Sequence, residues 1–292
     1  IIGGDVSFNY PISEIFYRKL RVALPSQKII AVLGNHELWD IAAQEEAHKK
    51  NTSSVELLVN KYRNLLNNLN IEFLHNELYI QKRTAAGTCE KRFTENAIIS
   101  MNEKEIRDLC AGCSLIVLGG LGFSGYSEEN RDVFRLYNKT IKSAYEDKYS
   151  TKRFESVYNK CRQSLPDKKV IVLTHMPATY WSQSDHQNNW IYVNGHTHQN
   201  EYITAEEKTV YSDNQMGYFN ADIGLKHFYL PRGYDIFAGY KDGIYEIDKK
   251  KYADFYLTHN ISLNYIKRNV RIIMLKKKGF YCFMQKKPGK RN

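Results

Sequence analysis

The chain has 292 residues, 42% of them hydrophobic and 25% charged, with a formal net charge of +10. That length and balance describe a globular chain able to bury a sizeable core, and exclude a fibrous or largely disordered one. No apolar run approaches the roughly 18 residues of a membrane span and no signal-peptide pattern opens the chain, so a cytoplasmic protein with no membrane partner is expected.

In chain order, the first residues read as a strand ending at Gly3-Gly4 and emptying into Asp5. Ile29–Leu33 (IIAVL) is a short, β-branched run closed by Gly34, the pattern of a buried strand. Val55, Leu58, Val59, Tyr62, Leu65, Leu66 and Leu69 recur at helical spacing, which predicts an amphipathic helix over Ser54–Leu69. Two short strands are expected at Ile71–Leu74 and Leu78–Ile80, a helix at Asn102–Leu109 and a strong strand at Leu115–Leu118. Glu128–Leu165 reads as mostly helical, with a break near Ser150-Thr151. Val170–Leu173 and Ile191–Val193 are further buried strands, emptying into His175 and into Asn194-Gly195-His196.

Beyond Thr209 the chain turns aromatic and strand-like, at Val210-Tyr211, Ile223, Phe228–Leu230, Ile244–Ile247, Arg271–Leu275 and Gly279–Met284. Strand and helix signals alternate, which argues an α/β architecture. The expected organisation is a core over residues 1–230 with a C-terminal extension over 231–292 packed on it. The charge sits in the tail: residues 1–240 hold 28 Lys+Arg and 28 Asp+Glu, residues 241–292 hold 14 and 4. A solvated face is the simple explanation of that tail, and a contact to nucleic acid or another polyanion is the alternative.

Five cysteines, odd in number and scattered, do not form a disulfide framework and agree with a reducing compartment. Cys110 and Cys113 have CxxC spacing, but no second pair completes a zinc site. Gly119-Gly120-Leu121-Gly122-Phe123-Ser124-Gly125 is glycine-rich after a strand yet lacks the Lys-Ser/Thr of a phosphate loop, so a tight turn is expected there.

The chemistry concentrates in four places where an apolar run gives way to a turn: Gly4-Asp5, Gly34-Asn35-His36-Glu37, Thr174-His175-Met176-Pro177 and Gly195-His196-Thr197-His198. Loops leaving the carboxyl ends of strands are where α/β proteins bind ligands. With Glu37 set aside, these loops offer one carboxylate, one amide oxygen and four imidazoles, which suits two borderline divalent metals with one histidine left over for proton transfer. In extended backbone His196 and His198 would project to the same side. Asn35 and His36, being adjacent, would point apart. Glu37 could steady a histidine ring from behind, or lie on the surface. His48, His75, His186, His227 and His259 lack such context and read as structural.

The four motifs, in this order and with 30 residues from Asp5 to Asn35, resemble those of the calcineurin-like metallophosphoesterases over roughly residues 1–200. The resemblance implies a four-layer α/β/β/α sandwich of two mixed sheets with flanking helices. It implies two divalent metal ions (Mn, Fe or Zn), with Asp5 bridging them, Asn35, His175 and His196 completing one site and His198 serving the other. His36 would then be the catalytic proton donor or phosphate contact. The family opens with an Asp-x-His motif upstream of Gly-Asp, and the expectation is that this first strand precedes Ile1. The function so implied is hydrolysis of a phosphomonoester or phosphodiester by attack of a metal-bound hydroxide. Two alternatives accompany it: a nuclease of the same fold that grips nucleic acid with the basic tail, and an inactive, metal-poor binding protein.

Overall fold

Backbone polar groups inside a protein must be paired, so apolar runs too short for helices pair as strands. The computed structural model describes residues 1–128, 133–184 and 186–197, and beyond them the strand residues 202–205, 208–211, 238–241, 244–247, 273–277 and 280–284. Helix α1 is Tyr10–Ala23, followed by β1 (Ile30–Ala31), a single 3-10 turn at Glu37–Trp39, α2 (Ile41–Lys49), α3 (Ser54–Asn68) and β2 (Glu72–Phe73). Then come β3 (Glu77–Thr84), β4 (Gly87–Phe93), α4 (Glu95–Ser100), α5 (Glu103–Leu109), β5 (Cys113–Gly120), α6 (Val133–Tyr137) and α7 (Ala144–Ser164). The order continues with β6 (Ile171–Thr174), α8 (Ala178–Trp181), β7 (Ile191–Asn194), β8 (Tyr202–Ala205) and β9 (Lys208–Tyr211). Two hairpins follow, β10 (Ala238–Lys241) with β11 (Ile244–Ile247), and β12 (Ile273–Lys277) with β13 (Phe280–Met284).

The protein is mixed α/β. Strands β4-β3-β5-β6-β7 form a mixed sheet that β9 and then β8 extend. β3 pairs antiparallel with β4 and β5, whereas β5, β6, β7 and β9 run parallel. Every residue of β6 is buried, as a strand covered on both faces requires. β4 is exposed along most of its length and carries Glu90, Lys91 and Arg92, charges that discourage edge pairing. A second, two-stranded parallel sheet joins β1 to β2, and Ile2 bridges to Ala31 on the other side of β1. The segment after β2 comes close to β5: a Cβ on Gly119 would lie 2.6 Å from the Leu74 Cβ.

Side-chain caps define the helices. Asn9, Asp40, Ser53, Thr94 and Ser143 cap α1, α2, α3, α4 and α7 through their side chains, and Asn102 with Glu105 forms a capping box on α5. The expected stripe of α3 is the buried one, through Leu58, Val59, Tyr62, Leu65 and Leu66. The break expected near Ser150-Thr151 is absent. α7 runs unbroken through it, because Thr151 is fully buried with its hydroxyl accepting from the Gly125 amide at 2.9 Å. The interruption falls earlier, where Asn138 and Lys139 take left-handed φ of 46° and 68°.

The chain divides into two compact units, Ile1–Thr197 with Ile203–Tyr211, and His198–Tyr202 with Ser212–Asn292. Of the expected strands, Ile223 and Phe228–Leu230 lie outside the described residues, as does most of the 231–292 extension. Among the described residues no helix is long and apolar enough to cross a membrane.

Candidate metal centre

The candidate residues sit just past strand ends. His175 and His196 follow the neighbouring parallel strands β6 and β7, and the Gly195 amide donates to the His175 carbonyl at 3.0 Å, tying the two loops together. Asn35 and His36 follow β1, and Asp5 follows Ile2, whose amide and carbonyl pair with β1 at 2.8 and 3.1 Å.

Glu37 fixes the Asp5 loop against the Asn35 loop. It is 1% exposed, and its carboxylate accepts from the backbone amides of Gly34 at 2.6 Å, Asp5 at 2.9 Å and Val6 at 2.5 Å. Glu37 is therefore not the surface carboxylate that was one expectation for it. Burial, and then the Asp5 carboxylate, push its pKa up to about 7, against the opposing pull of the Gly34 amide, His175 and the Asp5 amide. The turn it closes leaves no room for side chains. A Cβ on Gly4 (φ +89°) would lie 2.3 Å from the Gly34 amide nitrogen, and one on Gly34 would lie 2.1 Å from Asp5 Oδ1. Asp5 has a left-handed φ of 57°, which aspartate tolerates, and its Oδ1 accepts from the His36 amide at 2.9 Å.

His175 is the centre of the arrangement. It is 1% exposed, its Nδ1 lies 2.7 Å from the Gly3 carbonyl, and its Nε2 lies 2.8 Å from Asn35 Oδ1 and 3.4 Å from Asp5 Oδ1. A carbonyl can only accept, so Nδ1 carries the proton and a neutral ring turns its Nε2 lone pair toward two oxygens. The Asn35 amide is not free to flip and relieve this, since its Nδ2 donates to the Leu136 carbonyl at 3.1 Å. His196 Nδ1 approaches the same Asn35 oxygen at 3.1 Å. An acceptor nitrogen facing acceptor oxygens in a buried place calls for positive charge between them, either a proton or a cation.

Ligand atoms about 2.1 Å from a metal stand about 3.0–3.4 Å apart around tetrahedral or octahedral shells; the 3.1 and 3.4 Å separations here fall in that range, and the 2.8 Å one is a hydrogen-bond length. The donor types also fit: imidazole, carboxylate and amide oxygen suit Mn, Fe or Zn. The His175 Nδ1–carbonyl contact is the backing that ligating histidines usually have. Among the described residues, however, no group of three or more His, Cys, Asp or Glu side chains is disposed to hold a metal ion. The Asn35 oxygen meets both His175 and His196, whose rings also lie edge-on to each other at 5.4 Å.

His36 goes a different way from Asn35. Its ring stacks on Trp39 with centroids 4.0 Å apart and 24° between planes, and its Nε2 lies 3.8 Å from Asp5 Oδ2. The extended geometry expected of His196-Thr197-His198 is not found at its first residue. His196 has φ of +72° and the Thr197 amide donates to the Gly195 carbonyl at 2.8 Å, so the chain turns there. His198 itself lies outside the described residues. The Tyr180 ring rests edge-on against His196 at 5.9 Å, a neighbour that sequence spacing could not reveal.

Of the remaining histidines, His48 lies in the last turn of α2, His75 packs edge-on against Phe123 at 6.4 Å and His186 against Tyr192 at 4.3 Å. His227 and His259 lie outside the described residues. Cys110 ends α5, where burial pushes its thiol up to about 12, and Cys113 opens β5; both are free thiols. The glycine-rich stretch continues β5 to Gly120 and then turns, with left-handed φ at Gly122 and Phe123.

No protein-family model matches this chain, and neither a curated protein nor a solved structure does.

Proposed function

We propose that the chain is a metal-dependent phosphoester hydrolase of the calcineurin-like metallophosphoesterase type, acting on a phosphomonoester or phosphodiester. The observation that carries this reading is the convergence of His175 Nε2 on Asn35 Oδ1 at 2.8 Å and Asp5 Oδ1 at 3.4 Å, with Nδ1 committed to the Gly3 carbonyl. Asp5, Asn35, His175 and His196 would hold one divalent cation; for a second, the sequence offers His198, which lies outside the described residues. Bound there, such ions would neutralise phosphoryl oxygens and activate a water for in-line attack.

The chain's own side chains supply the rest. His36 stacks on Trp39 with its Nε2 3.8 Å from Asp5 Oδ2, which suits an imidazole that gives a proton to the leaving oxygen. Glu37 keeps Asp5 and Asn35 in register by holding both loops through their amides. The contact of Leu74 with Gly119 supports two sheets packed face to face, and helices outside them would complete a four-layer sandwich.

The test is metal binding and turnover on the protein. Titration with Mn²⁺ and Zn²⁺ should show binding that Asp5→Ala and His175→Ala each weaken strongly. The metal-loaded protein should hydrolyse p-nitrophenyl phosphate or its bis-ester. Absence of both binding and hydrolysis would sink the proposal.

A further inference from the structure

One backbone carbonyl serves both halves of the candidate site. Leu136 O, in α6, accepts from Asn35 Nδ2 at 3.1 Å and from the Trp39 indole Nε1 at 2.9 Å. The first bond turns the Asn35 oxygen toward His175 and His196. The second holds the indole on which the His36 ring lies. Helix α6 and the residues after it are themselves secured from two directions. Asn138 Nδ2 donates to the Trp39 carbonyl at 3.2 Å, Thr140 Oγ1 donates to the Leu38 carbonyl, and Gln44 Nε2 donates to the Asn138 carbonyl at 2.8 Å. On the other side the Tyr137 hydroxyl donates to Asp147 Oδ1 at 3.0 Å in a fully buried group with Ser124.

We infer that Trp39 is a positioning residue for His36, its aromatic face beneath the imidazole keeping Nε2 turned toward Asp5. The inference rests on the hydrolase reading for its catalytic consequence, but the placement of the ring stands by itself. His36 caps the 3-10 turn in which Trp39 lies, so a flat ring three residues on can lie against the imidazole. A stack of this kind favours one imidazole rotamer over the others, and misplacing a proton donor by about 1 Å can cost up to about a hundredfold in rate.

Two variants separate ring from hydrogen bond. Trp39→Phe keeps an aromatic face and loses the bond to Leu136 O, whereas Trp39→Leu loses both. In histidine side-chain NMR spectra of the metal-free protein, the His36 carbon-bound protons should be shifted upfield by the ring beneath them. That shift should persist largely in Trp39→Phe and vanish in Trp39→Leu. With metal and p-nitrophenyl ester, Trp39→Leu should lose about tenfold to a hundredfold in kcat with KM and metal affinity within about twofold. Trp39→Phe should recover most of that loss.

His36 signals that stay in place in Trp39→Leu would overturn the inference. So would a wild-type kcat in that variant, or a loss shared equally by metal affinity and KM. If the wild-type protein hydrolyses neither ester, the hydrolase reading falls, and the NMR comparison still decides where His36 is held.

Discussion

Glu37 Oε2 accepts from the backbone amide of Asp5, 32 positions earlier, at 2.9 Å, and the same carboxylate takes the amides of Val6 and Gly34. A buried anion that meets three N–H donors is well satisfied; its amide counterpart is not. Glu37→Gln keeps the volume but offers one oxygen and turns an NH₂ group toward N–H donors. The variant should lose about 2–4 kcal/mol of stability by urea unfolding. It should also bind divalent metal less tightly, because Asp5 and Asn35 are no longer held in register. Unchanged stability would show that the clamp is incidental.

Asn35 and His36 are neighbours in the chain with different surroundings, and their substitutions should part accordingly. Asn35→Ala removes the oxygen that His175 and His196 share, so metal affinity should fall by more than about tenfold. His36→Ala leaves those atoms in place. Its metal content should stay near normal while kcat drops by about 10²–10⁴. Metal analysis beside steady-state rates decides both, and metal loss in His36→Ala would reassign that histidine as a ligand.

How much of this was legible differs from residue to residue. The strands β5, β6 and β7 are short apolar runs with nowhere to go but a sheet, and their boundaries were read to within a residue or two. The convergence of Asp5, Asn35, His175 and His196 followed from their places after such runs. Helix α1 went unread although Asn9 caps it and Pro11 lies in its first turn; along its length Ile12, Ile15 and Val22 are exposed while Ser13 and Tyr17 are buried, so its apolar residues do not mark its inner face. The role of Glu37 was hidden for another reason. A carboxylate that binds backbone amides of a distant loop leaves no side-chain pattern in either segment. The left-handed turn at His196 was equally silent, since non-glycine residues take positive φ only where surrounding contacts impose it.

His75 should make the protein sensitive to mild acid. Loss of hydration, with Arg63 adding to it, lowers its pKa from an ordinary 6.5 to about 4, and among the described residues its Nδ1 has no hydrogen-bond partner. Between those two values the unfolded chain takes up a proton that the folded ring refuses. The contribution is therefore present above pH 6.5 and is lost as pH falls toward 4, up to about 3 kcal/mol. His75→Phe should flatten the stability profile in that window, as measured by denaturant midpoints across pH. Equal slopes in the two proteins would place the acid sensitivity elsewhere.

Asp147 should behave in the opposite sense. Burial raises its pKa, although the Ser124 amide, the Ser124 hydroxyl and the Tyr137 hydroxyl all donate to it, at 3.2, 3.0 and 3.0 Å. A raised carboxyl favours the protonated form in the fold, so its contribution is complete below the unfolded value and declines as pH rises through the folded one. Asp147→Asn removes the charge and keeps an acceptor for Tyr137, while its NH₂ can donate to the Ser124 hydroxyl. That variant should lose less than about 1 kcal/mol at neutral pH. Asp147→Ala strands three donors in a dry interior and should cost about 2–5 kcal/mol. Because Tyr137 adjoins Leu136, the alanine variant should also loosen the Asn35 amide and weaken metal binding, which the asparagine variant should preserve. Equal metal affinity in the two variants would show that the buried Ser124–Tyr137–Asp147 group supports only the fold.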